Sequence, residues 1–360
     1  MIILPILIMR KSQIVVEKAK KVFRENFVFP SIVMFNDIRY LFSSEEWIKS
    51  YLKFFPPYKD LFIFSKKGMD EQKKALFGLM SESFNQFKLI PIGSPYNDYN
   101  SPLSALFYLN KEEEKERHAE DFLYELNQLL LSGYFLEVDC LFSQKEIGFL
   151  RKVLNRGNFR FKLVKSAMPV VSCFLTRGED KGAVEEILRG KFSKKFLKYF
   201  RKTSRDCVLR LNRIEGGEKF FDIALNNLLS YRKLNFFKNF KKDVVGAFSS
   251  QFEEFIRELI SFPSVKGKSV IFELLINGKY AASDLFFYTN NTYLCYLRAF
   301  NKYFAKFSPG IVLSYLVHRD LLLKFRRVII DYTRGDEAYK FRIGGRLRKV
   351  YKLTSINEND

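Results

Sequence analysis

Histidine and tryptophan are scarce in this chain, which has 360 residues but only two histidines and one tryptophan. His118 lies in the charged run KEEEKERHAED and is interpreted as a surface residue, whereas His318 lies in an apolar helical pattern and is interpreted as structural. A His-dependent catalytic triad and a His-based metal site are both disfavoured. The sequence therefore predicts a protein without a metal centre.

Cysteine is also rare, and its spacing excludes the usual cysteine frameworks. The four residues are far apart and contain no CxxC pair: Cys140, Cys173, Cys207 and Cys295. This spacing argues against a zinc or disulfide framework and favours a reducing compartment.

Long hydrophobic runs are missing as well. The most apolar segment, MIILPILIM, ends after nine residues at Arg10, whereas a membrane-spanning helix needs about 20 residues. It lacks the basic region and the small-residue cleavage site of a signal peptide. We expect this segment to be an edge strand, or a stretch that precedes the true initiator, Met9. The predicted location is the cytoplasm, with peripheral contact to the inner face of an anionic membrane as a further expectation.

Positive charge is abundant: 61 basic and 40 acidic residues give a net charge of +21. Such a surplus favours partners rich in phosphate, anionic lipids or acidic glycans, although a biased genome composition would also produce it.

The 40 phenylalanines and 19 tyrosines supply ample core material. The length predicts two domains or a duplicated one.

The first half of the chain alternates short strands with helices. Residues 61–67 and 72–83 are interpreted as the strands of a hairpin, and YFLEVDCLF as a buried strand. Residues 111–131 form a helical pattern with an acidic first turn. The segment SQKEIGFLRKVLNRG predicts a helix with Ser143 as N-cap, Glu146 three residues later and Gly157 at its end.

The second half contains basic and amphipathic helices, followed by a predicted three-stranded meander over residues 269–301. Asn277-Gly278 indicates a type I′ turn and Asn290-Asn291 a second tight turn. A helix is predicted from Pro309 to about Lys324, with Ser308 as N-cap. A strand over residues 327–332 then leads into the charged stretch DYTRGDEAYKFRIGG.

Several segments, in this order, resemble signatures of the CelD/BcsL-like acetyltransferases, a family linked to cellulose and other exopolysaccharide synthesis. The strongest are ELLINGKYAASDLFF, YLRAFNKYFAKFSPGIVL and IIDYTRGDEAYKFRIGG; FSSEEWIKSYLKFF and IPIGSPYNDYNSPL are similar more loosely. The likeness covers residues 30–352 and is strongest from Phe272 onward. The family is related to the Fem-type aminoacyltransferases, which carry two GNAT-like lobes in one chain.

The resemblance implies an α+β fold with two tandem GNAT-like lobes, each a mixed, mostly antiparallel sheet flanked by helices. The expected division places the N-terminal lobe in residues 1–190, the C-terminal acyltransferase lobe in 191–354 and a flexible tail in 355–360. It also implies an acyl-CoA donor, acetyl-CoA first. Acyl transfer from a thioester needs a deprotonated amine, donors for the oxyanion and a proton for the leaving thiolate.

A helix start suits the pyrophosphate of coenzyme A, because free backbone N–H groups and the helix dipole favour anions there. The segment SPGIVL supplies such a start, and Gly310 would allow close approach. A plain helix start explains the same residues. The predicted donor-binding residues are Arg298, Lys306, Ser308, Gly310 and Ile311, with Lys302 as a further charge.

The charged stretch after residue 330 is interpreted as the mouth of the gap that holds the thioester. By the resemblance, Glu337 or Asp336 acts as general base and Tyr339 protonates the thiolate. The alternative is a network of ion pairs that pins the C-terminal segment, with Tyr339 packed in the core.

The acceptor is expected to be an amino sugar, a sugar nucleotide or a lipid-linked glycan in envelope polysaccharide assembly. The predicted substrate-binding residues are Asp98, Tyr99, Glu273, Asp331 and Lys340. Two other hypotheses remain: a Fem-like transferase that uses charged tRNA, and a non-catalytic binding protein of the same fold. The basic run 191–205 predicts either a solvated helix face or a surface for a membrane or glycan.

Overall fold

The computed structural model describes residues 14–18, 27–28, 31, 37–55, 61–66, 73–81, 88–92, 99, 112–167, 169–180, 182–237 and 250–356. The predictions for the apolar segment 1–9 and for Asp98 lie outside these residues. The strands are β1 (Ile14–Lys18), β2 (Phe27–Val28), β3 (Leu61–Lys66), β4 (Lys73–Ser81), β5 (Lys88–Pro91), β6 (Phe135–Leu141), β7 (Phe161–Lys165), β8 (Val170–Thr176), β9 (Leu209–Glu215), β10 (Ser269–Ile276), β11 (Lys279–Thr289), β12 (Thr292–Phe300), β13 (Arg327–Arg334), β14 (Arg346–Arg348) and β15 (Tyr351–Ser355).

The helices are α1 (Glu45–Phe54), α2 (Glu112–Leu131), α3 (Gln144–Arg156), α4 (Val184–Lys191), α5 (Lys194–Asp206), α6 (Phe221–Phe237), α7 (Ser250–Ser261), α8 (Pro263–Lys266), α9 (Pro309–Lys324) and α10 (Ala338–Arg342). Two 3-10 helices, Ile38–Ser43 and Lys302–Phe307, accompany them.

Two mixed sheets, mostly antiparallel and flanked by helices, form the molecule, as expected. The first has the strand order β1-β3-β4-β5-β6-β15-β7, with β2 paired to β4. Its parallel pairs are β2 with β4 and β5 with β6. The second has the order β14-β8-β13-β12-β11-β10-β9, and its one parallel pair among the described residues is β12 with β13.

The two sheets exchange strands along the chain. β8 precedes residue 190 but pairs with β13 in the second sheet. β15 comes last in the chain but lies between β6 and β7 in the first sheet. Ser355, which the sequence assigned to a tail, is paired with Phe161, and the backbone N–H of Ile356 donates to Arg160. The division of the chain into two lobes at residue 190 stays a prediction. β8 and β15 each pair with strands from the other side of this boundary.

Helices cover both faces of the second sheet. α4, α5 and α9 lie on one face, where Phe192, Phe196 and Leu313 share a core with Phe272. α1, α6 and α7 pack on the opposite face around the buried Trp47. The first sheet packs against α2 and α3 in a separate core.

Most of the local sequence signals predict the observed structure. The described parts of the predicted hairpin, residues 61–66 and 73–81, form the antiparallel pair β3 and β4. The hydroxyl of Ser143 accepts from the N–H of Glu146, and α3 ends at Gly157. Asn277 and Gly278 both have positive φ, 51° and 74°, which a type I′ turn requires.

Ser308 is the N-cap residue of α9, as predicted, but its side chain does not cap the helix. Ser308 begins α9 through its carbonyl, which accepts from the N–H groups of Ile311 and Val312, but its side chain makes no capping hydrogen bond. Its backbone is left-handed, with φ 50° and ψ 53°, because it also ends the preceding 3-10 helix. A side-chain cap needs an extended backbone at this position, so the hydroxyl is misdirected.

Candidate active site

A gap opens between β12 and β13 in the second sheet. The two strands are paired only from Thr292 to Leu294, opposite Ile329 to Asp331. β12 then continues to Phe300 and β13 to Arg334 without pairing to each other. On the other side of β12, Leu285 faces Leu297 while Phe286 faces Cys295, so Tyr296 is an extra residue that bends the strand.

α9 begins beside this gap. Pro309 occupies the first turn, where its missing N–H costs nothing, and Gly310 follows it. A Cβ added at Gly310 would lie 3.8 Å from the side chain of Arg298, an ordinary contact distance. The first turn of a 16-residue helix presents backbone N–H groups and positive dipole to an anion.

The side chain of Arg298 extends from the part of β12 that is not paired with β13. Its Nε and Nη2 donate to the two carboxylate oxygens of Asp284 at 2.7 and 2.6 Å, and Nη2 also donates to the hydroxyl of Ser314 at 2.8 Å. Burial disfavours this charge, but the Asp284 carboxylate outweighs burial and holds the pKa of Arg298 above its ordinary value. The guanidinium therefore stays charged beside Ser314 on α9.

Two tyrosines face Arg298 from β13 and α10. The guanidinium carbon lies 5.7 Å from the ring centre of Tyr332 and 5.2 Å from that of Tyr339. Burial raises the pKa of the half-buried Tyr339 above its usual range, although the Arg298 charge opposes the rise. Tyr339 is thus a neutral phenol at physiological pH and can donate a proton or a hydrogen bond.

His318 lies behind Tyr332 and is fully buried. Its Nε2 is 2.7 Å from the Tyr332 hydroxyl, whereas Nδ1 is buried with no partner among the described residues. Burial, with the positive charges of Arg298 and Lys191, lowers the pKa of His318 to about 3. The imidazole is neutral in the native protein and fixes Tyr332.

The charged stretch after β13 forms a compact loop. Lys340 is almost fully buried, and its Nζ donates to the carbonyls of Arg334 at 2.5 Å and Gly335 at 3.4 Å. The same Nζ lies 2.9 Å from Oε2 of Glu337, whose side chain is 57% exposed. Asp336 is exposed next to it. Lys340 thus anchors this loop, while the two carboxylates face solvent at its outer side.

Asp331 lies on the opposite face of β13 from Tyr332, because neighbouring strand residues alternate. It is fully buried, and the Tyr99 hydroxyl donates to its two oxygens at 2.7 and 2.6 Å. The N–H of Thr333 donates to it at 2.9 Å, and Nη1 of Arg348 lies 3.7 Å away. Burial and the Asp331 charge raise the pKa of Tyr99 well above its usual value.

Glu273 lies further along the same sheet. It is 8% exposed on β10, opposite Asn212 and Ser283, and shares the face of Ile271. Two strands separate β10 from β13, so Glu273 does not join Asp331.

The structure thus groups the predicted residues into two sets. Arg298, Gly310 and Tyr339 lie around the gap. Ser308 and Lys306 are exposed, and Ile311 is half-buried. Tyr99 and Asp331 meet on the other face of the sheet. The catalytic and binding roles of these residues stay predictions.

Sequence reasoning missed Asp284, although a signal was present. It is an acid in the apolar run SDLFFY, which marks it as a candidate. Counting back from the Asn290-Asn291 turn places it opposite Leu297, and the extra residue Tyr296 shifts the register by one, so that Asp284 lies opposite Arg298. Ser314 had no such signal, because its contact with Arg298 depends on how α9 packs.

Among the residues that the structure describes, the His, Cys, Asp and Glu side chains form no group that could hold a metal ion. The helices in the same residues are too short or too polar to cross a bilayer.

Comparisons with known proteins agree with this fold. Residues 200–341, which contain the gap, α9 and Tyr339, match the family model described as acetyltransferase (GNAT) domain. No curated protein sequence matches the chain. The structure is similar to that of FemX, at 10% identity over 89% of this chain and 92% of that one, with a TM-score of 0.53, which indicates a shared fold.

Two further solved structures are similar at lower scores. One is a conserved protein of unknown function from Bacteroides thetaiotaomicron, at 11% identity over 89% and 92% of the chains and a TM-score of 0.49. The other is the C-terminal domain of a lysylphosphatidylglycerol synthetase from Agrobacterium fabrum, at 13% identity over 83% and 82% and a TM-score of 0.47.

Proposed function

We propose that the chain is an acyl-CoA-dependent N-acyltransferase, with acetyl as the transferred group. The acceptor is an amino sugar, a sugar nucleotide or a lipid-linked sugar in cell-envelope polysaccharide synthesis. The observation that supports this proposal most is the divergence of β12 from β13 directly below the start of α9. The match of residues 200–341 to the GNAT acetyltransferase domain supports it independently.

The donor occupies the gap in this proposal. Its pyrophosphate takes the N–H groups at the start of α9, where Gly310 leaves room for close approach. The thioester arm then runs between the diverging strands toward Tyr339. The Arg298 guanidinium lies beside the Tyr339 ring, where its charge stabilises the oxyanion that forms on the thioester carbonyl.

The reaction joins the amine nitrogen to the thioester carbon and breaks the bond from that carbon to sulfur. Glu337 or Asp336, both exposed beside the gap, accepts the proton of the attacking amine directly or through one water molecule. Tyr339 is protonated because of its burial and donates its proton to the leaving thiolate. The chain needs no covalent nucleophile, since positioning supplies much of the rate.

A second candidate is a transferase that takes an aminoacyl group from charged tRNA. The fold shared with FemX favours it, and the net charge of +21 suits a phosphate backbone. Such a donor would bind with a steep dependence on salt concentration.

Titration calorimetry with acetyl-CoA tests the donor. The parent should bind saturably, and Gly310→Trp should not, because an indole at the start of α9 blocks the pyrophosphate. Gly148→Trp is the matched control, since Gly148 is exposed on α3 with nothing within 4 Å of an added Cβ. If the parent does not bind, acyl-CoA is not the donor and charged tRNA is the next ligand to test.

A further inference from the structure

Helix α5 carries a dense group of positive charges that the chemistry described above does not use. Six of its 13 residues are cations, and its one acid is Asp206. All seven charged side chains are exposed, and within the described residues none of the six cations has an acidic partner. The cations are Lys194, Lys195, Lys198, Arg201, Lys202 and Arg205.

Exposed cations on other helices have acidic partners. Lys152 and Arg156 on α3 both bond Glu116 on α2, and Arg319 on α9 bonds Glu185 on α4. The cations of α5 lack this compensation and repel one another. An external polyanion that neutralises them therefore binds favourably to this helix.

The charges of α5 lie on the side of the helix that faces away from the protein. On the inner side, Phe196 is buried, and the ring of Phe200 lies 4.4 Å from that of Tyr315 on α9. The cations extend from residue 194 to residue 205, about 17 Å along the helix axis. Because the inner side is packed on α9, the outer side is a fixed, elongated basic surface.

Exposed apolar side chains accompany these charges. Tyr199, on α5 itself, is 54% exposed, and Val208, two residues after the helix, is 73% exposed. Tyr303 is 77% exposed on the Lys302–Phe307 3-10 helix, which contacts α5 and also carries the exposed Lys306. The basic surface thus includes aromatic and aliphatic groups that remain in contact with solvent.

This combination of side chains favours a lipid surface over a nucleic acid. Tyrosine is enriched where membrane meets water, because its ring lies among the headgroups while its hydroxyl stays hydrated. Lysine and arginine place their charged ends in the headgroup layer and their aliphatic stems against apolar groups. An exposed aliphatic group such as Val208 gains contacts from lipid but none from a phosphate backbone.

We propose that α5 is a docking surface for an anionic lipid bilayer, with its cations on the headgroup phosphates and Tyr199 in the headgroup layer. The inference goes beyond the proposed function, since vesicle binding involves neither the gap nor the donor. Each lysine or arginine near an anionic membrane raises the affinity about fivefold. Binding through these cations is reversible and weakens as salt screens them.

Vesicle sedimentation at low salt tests the charges. The parent should bind vesicles of equal parts phosphatidylglycerol and phosphatidylcholine but not vesicles of phosphatidylcholine alone. Lys198→Gln/Lys202→Gln should weaken this binding about 25-fold, since two charges are lost. Lys198→Arg/Lys202→Arg, which keeps both charges, should bind as the parent does. Lys145→Gln/Lys219→Gln is a second control, since it removes two exposed cations from outside α5.

Tyr199→Trp tests whether the helix reaches the headgroup layer. The one tryptophan of the chain, Trp47, is fully buried and gives a constant background. On vesicles that contain phosphatidylglycerol, the added indole should emit at shorter wavelength and be quenched by lipids with brominated acyl chains. Tyr124→Trp, at an exposed tyrosine on α2, should show neither change. Thermal unfolding of each variant confirms that the fold is retained.

Three results overturn the membrane assignment. One is equal vesicle binding by the parent and by Lys198→Gln/Lys202→Gln, or no binding by either. Another is an emission of Tyr199→Trp that the vesicles leave unchanged. The third is loss of binding to transfer RNA by Lys198→Gln/Lys202→Gln with vesicle binding retained, which makes α5 a nucleic-acid surface instead. The acyl-CoA proposal is independent of all three, because calorimetry with acetyl-CoA tests it separately.

Discussion

At the scale of single residues, Arg298 connects most of the candidate site. It bonds Asp284 on the neighbouring strand and Ser314 on α9, and it lies against Tyr332 and Tyr339. One side chain thus links β11, β12, β13, α9 and α10. A change at Arg298 or Asp284 is therefore expected to alter the shape of the whole gap.

Asp284→Asn is predicted to destabilise the protein by about 3 kcal/mol, because the charged Arg298 guanidinium loses its ionic partner in a buried site. Urea unfolding followed by circular dichroism measures the loss. Asp336→Asn, which changes an exposed carboxylate, should leave the free energy of unfolding within about 0.5 kcal/mol of the parent. Equal stability of the two variants contradicts the assigned role of the pair.

Tyr339→Phe is predicted to lower kcat about 100-fold with little change in KM, because the proton for the thiolate is removed while the ring stays in place. Steady-state kinetics with acetyl-CoA and an amino-sugar acceptor measures both constants. Tyr332→Phe is the control, since it removes a buried hydroxyl from the same cluster. If Tyr339→Phe and Tyr332→Phe have the same kcat, Tyr339 is not the acid that protonates the thiolate.

His318 makes stability depend on pH. Its pKa is about 3 in the folded chain and about 6.5 in the unfolded one, so below pH 6.5 the unfolded state binds more protons. As the pH falls from about 6 to about 4, this group should therefore lower the free energy of unfolding by about 1.4 kcal/mol per pH unit. His318→Gln, measured by urea unfolding across that range, should show a slope shallower by this amount.

At the scale of elements, the start of α9 differs from that of α3. Ser143 caps α3 with its side chain, whereas the left-handed Ser308 contributes only its carbonyl to α9. Similar sequence signals thus led to different geometries. The difference arises because Ser308 must also end the preceding 3-10 helix.

Ser143→Ala is predicted to cost about 1 kcal/mol, and Ser308→Ala less than about 0.3 kcal/mol, because only the first hydroxyl makes a capping bond. Ser308→Gly should stabilise the protein by about 1 kcal/mol, since glycine adopts positive φ without strain. Thermal and urea unfolding of the three variants measures these changes. A loss at Ser308→Ala as large as that at Ser143→Ala means that Ser308 does cap α9.

At the scale of the whole molecule, the exchanged strands join the two sheets. β8 supplies a neighbour for β13 next to the gap, and β15 completes the first sheet. The Tyr99–Asp331 contact adds a buried link between the halves. We expect the halves to fold together rather than as independent units.

Deletion of residues 351–360 is predicted to prevent cooperative folding of the first sheet, because β6 and β7 lose the strand between them. Deletion of residues 357–360, which keeps β15, is the control. Circular dichroism and thermal unfolding distinguish the two. If the longer deletion unfolds with the parent's midpoint, the exchanged strand does not stabilise the first sheet.

The local elements could be predicted from the sequence, because their signals lie in neighbouring residues. The Asn277-Gly278 turn, the cap of α3 and the Pro309 helix start each depend on neighbouring residues, and each forms where it was predicted. The two-sheet architecture followed from the order of motifs in the resemblance.

Contacts between residues that are distant in the sequence could not be predicted in this way and are visible only in the folded chain. The Tyr99–Asp331 pair joins residues 232 positions apart, and Ser314 reaches Arg298 because α9 folds back over the sheet. Lys340 has the sequence of a solvent-facing charge, yet packing buries it on two carbonyls. Such contacts depend on how helices and strands pack, and periodicity within a single segment carries no record of that packing.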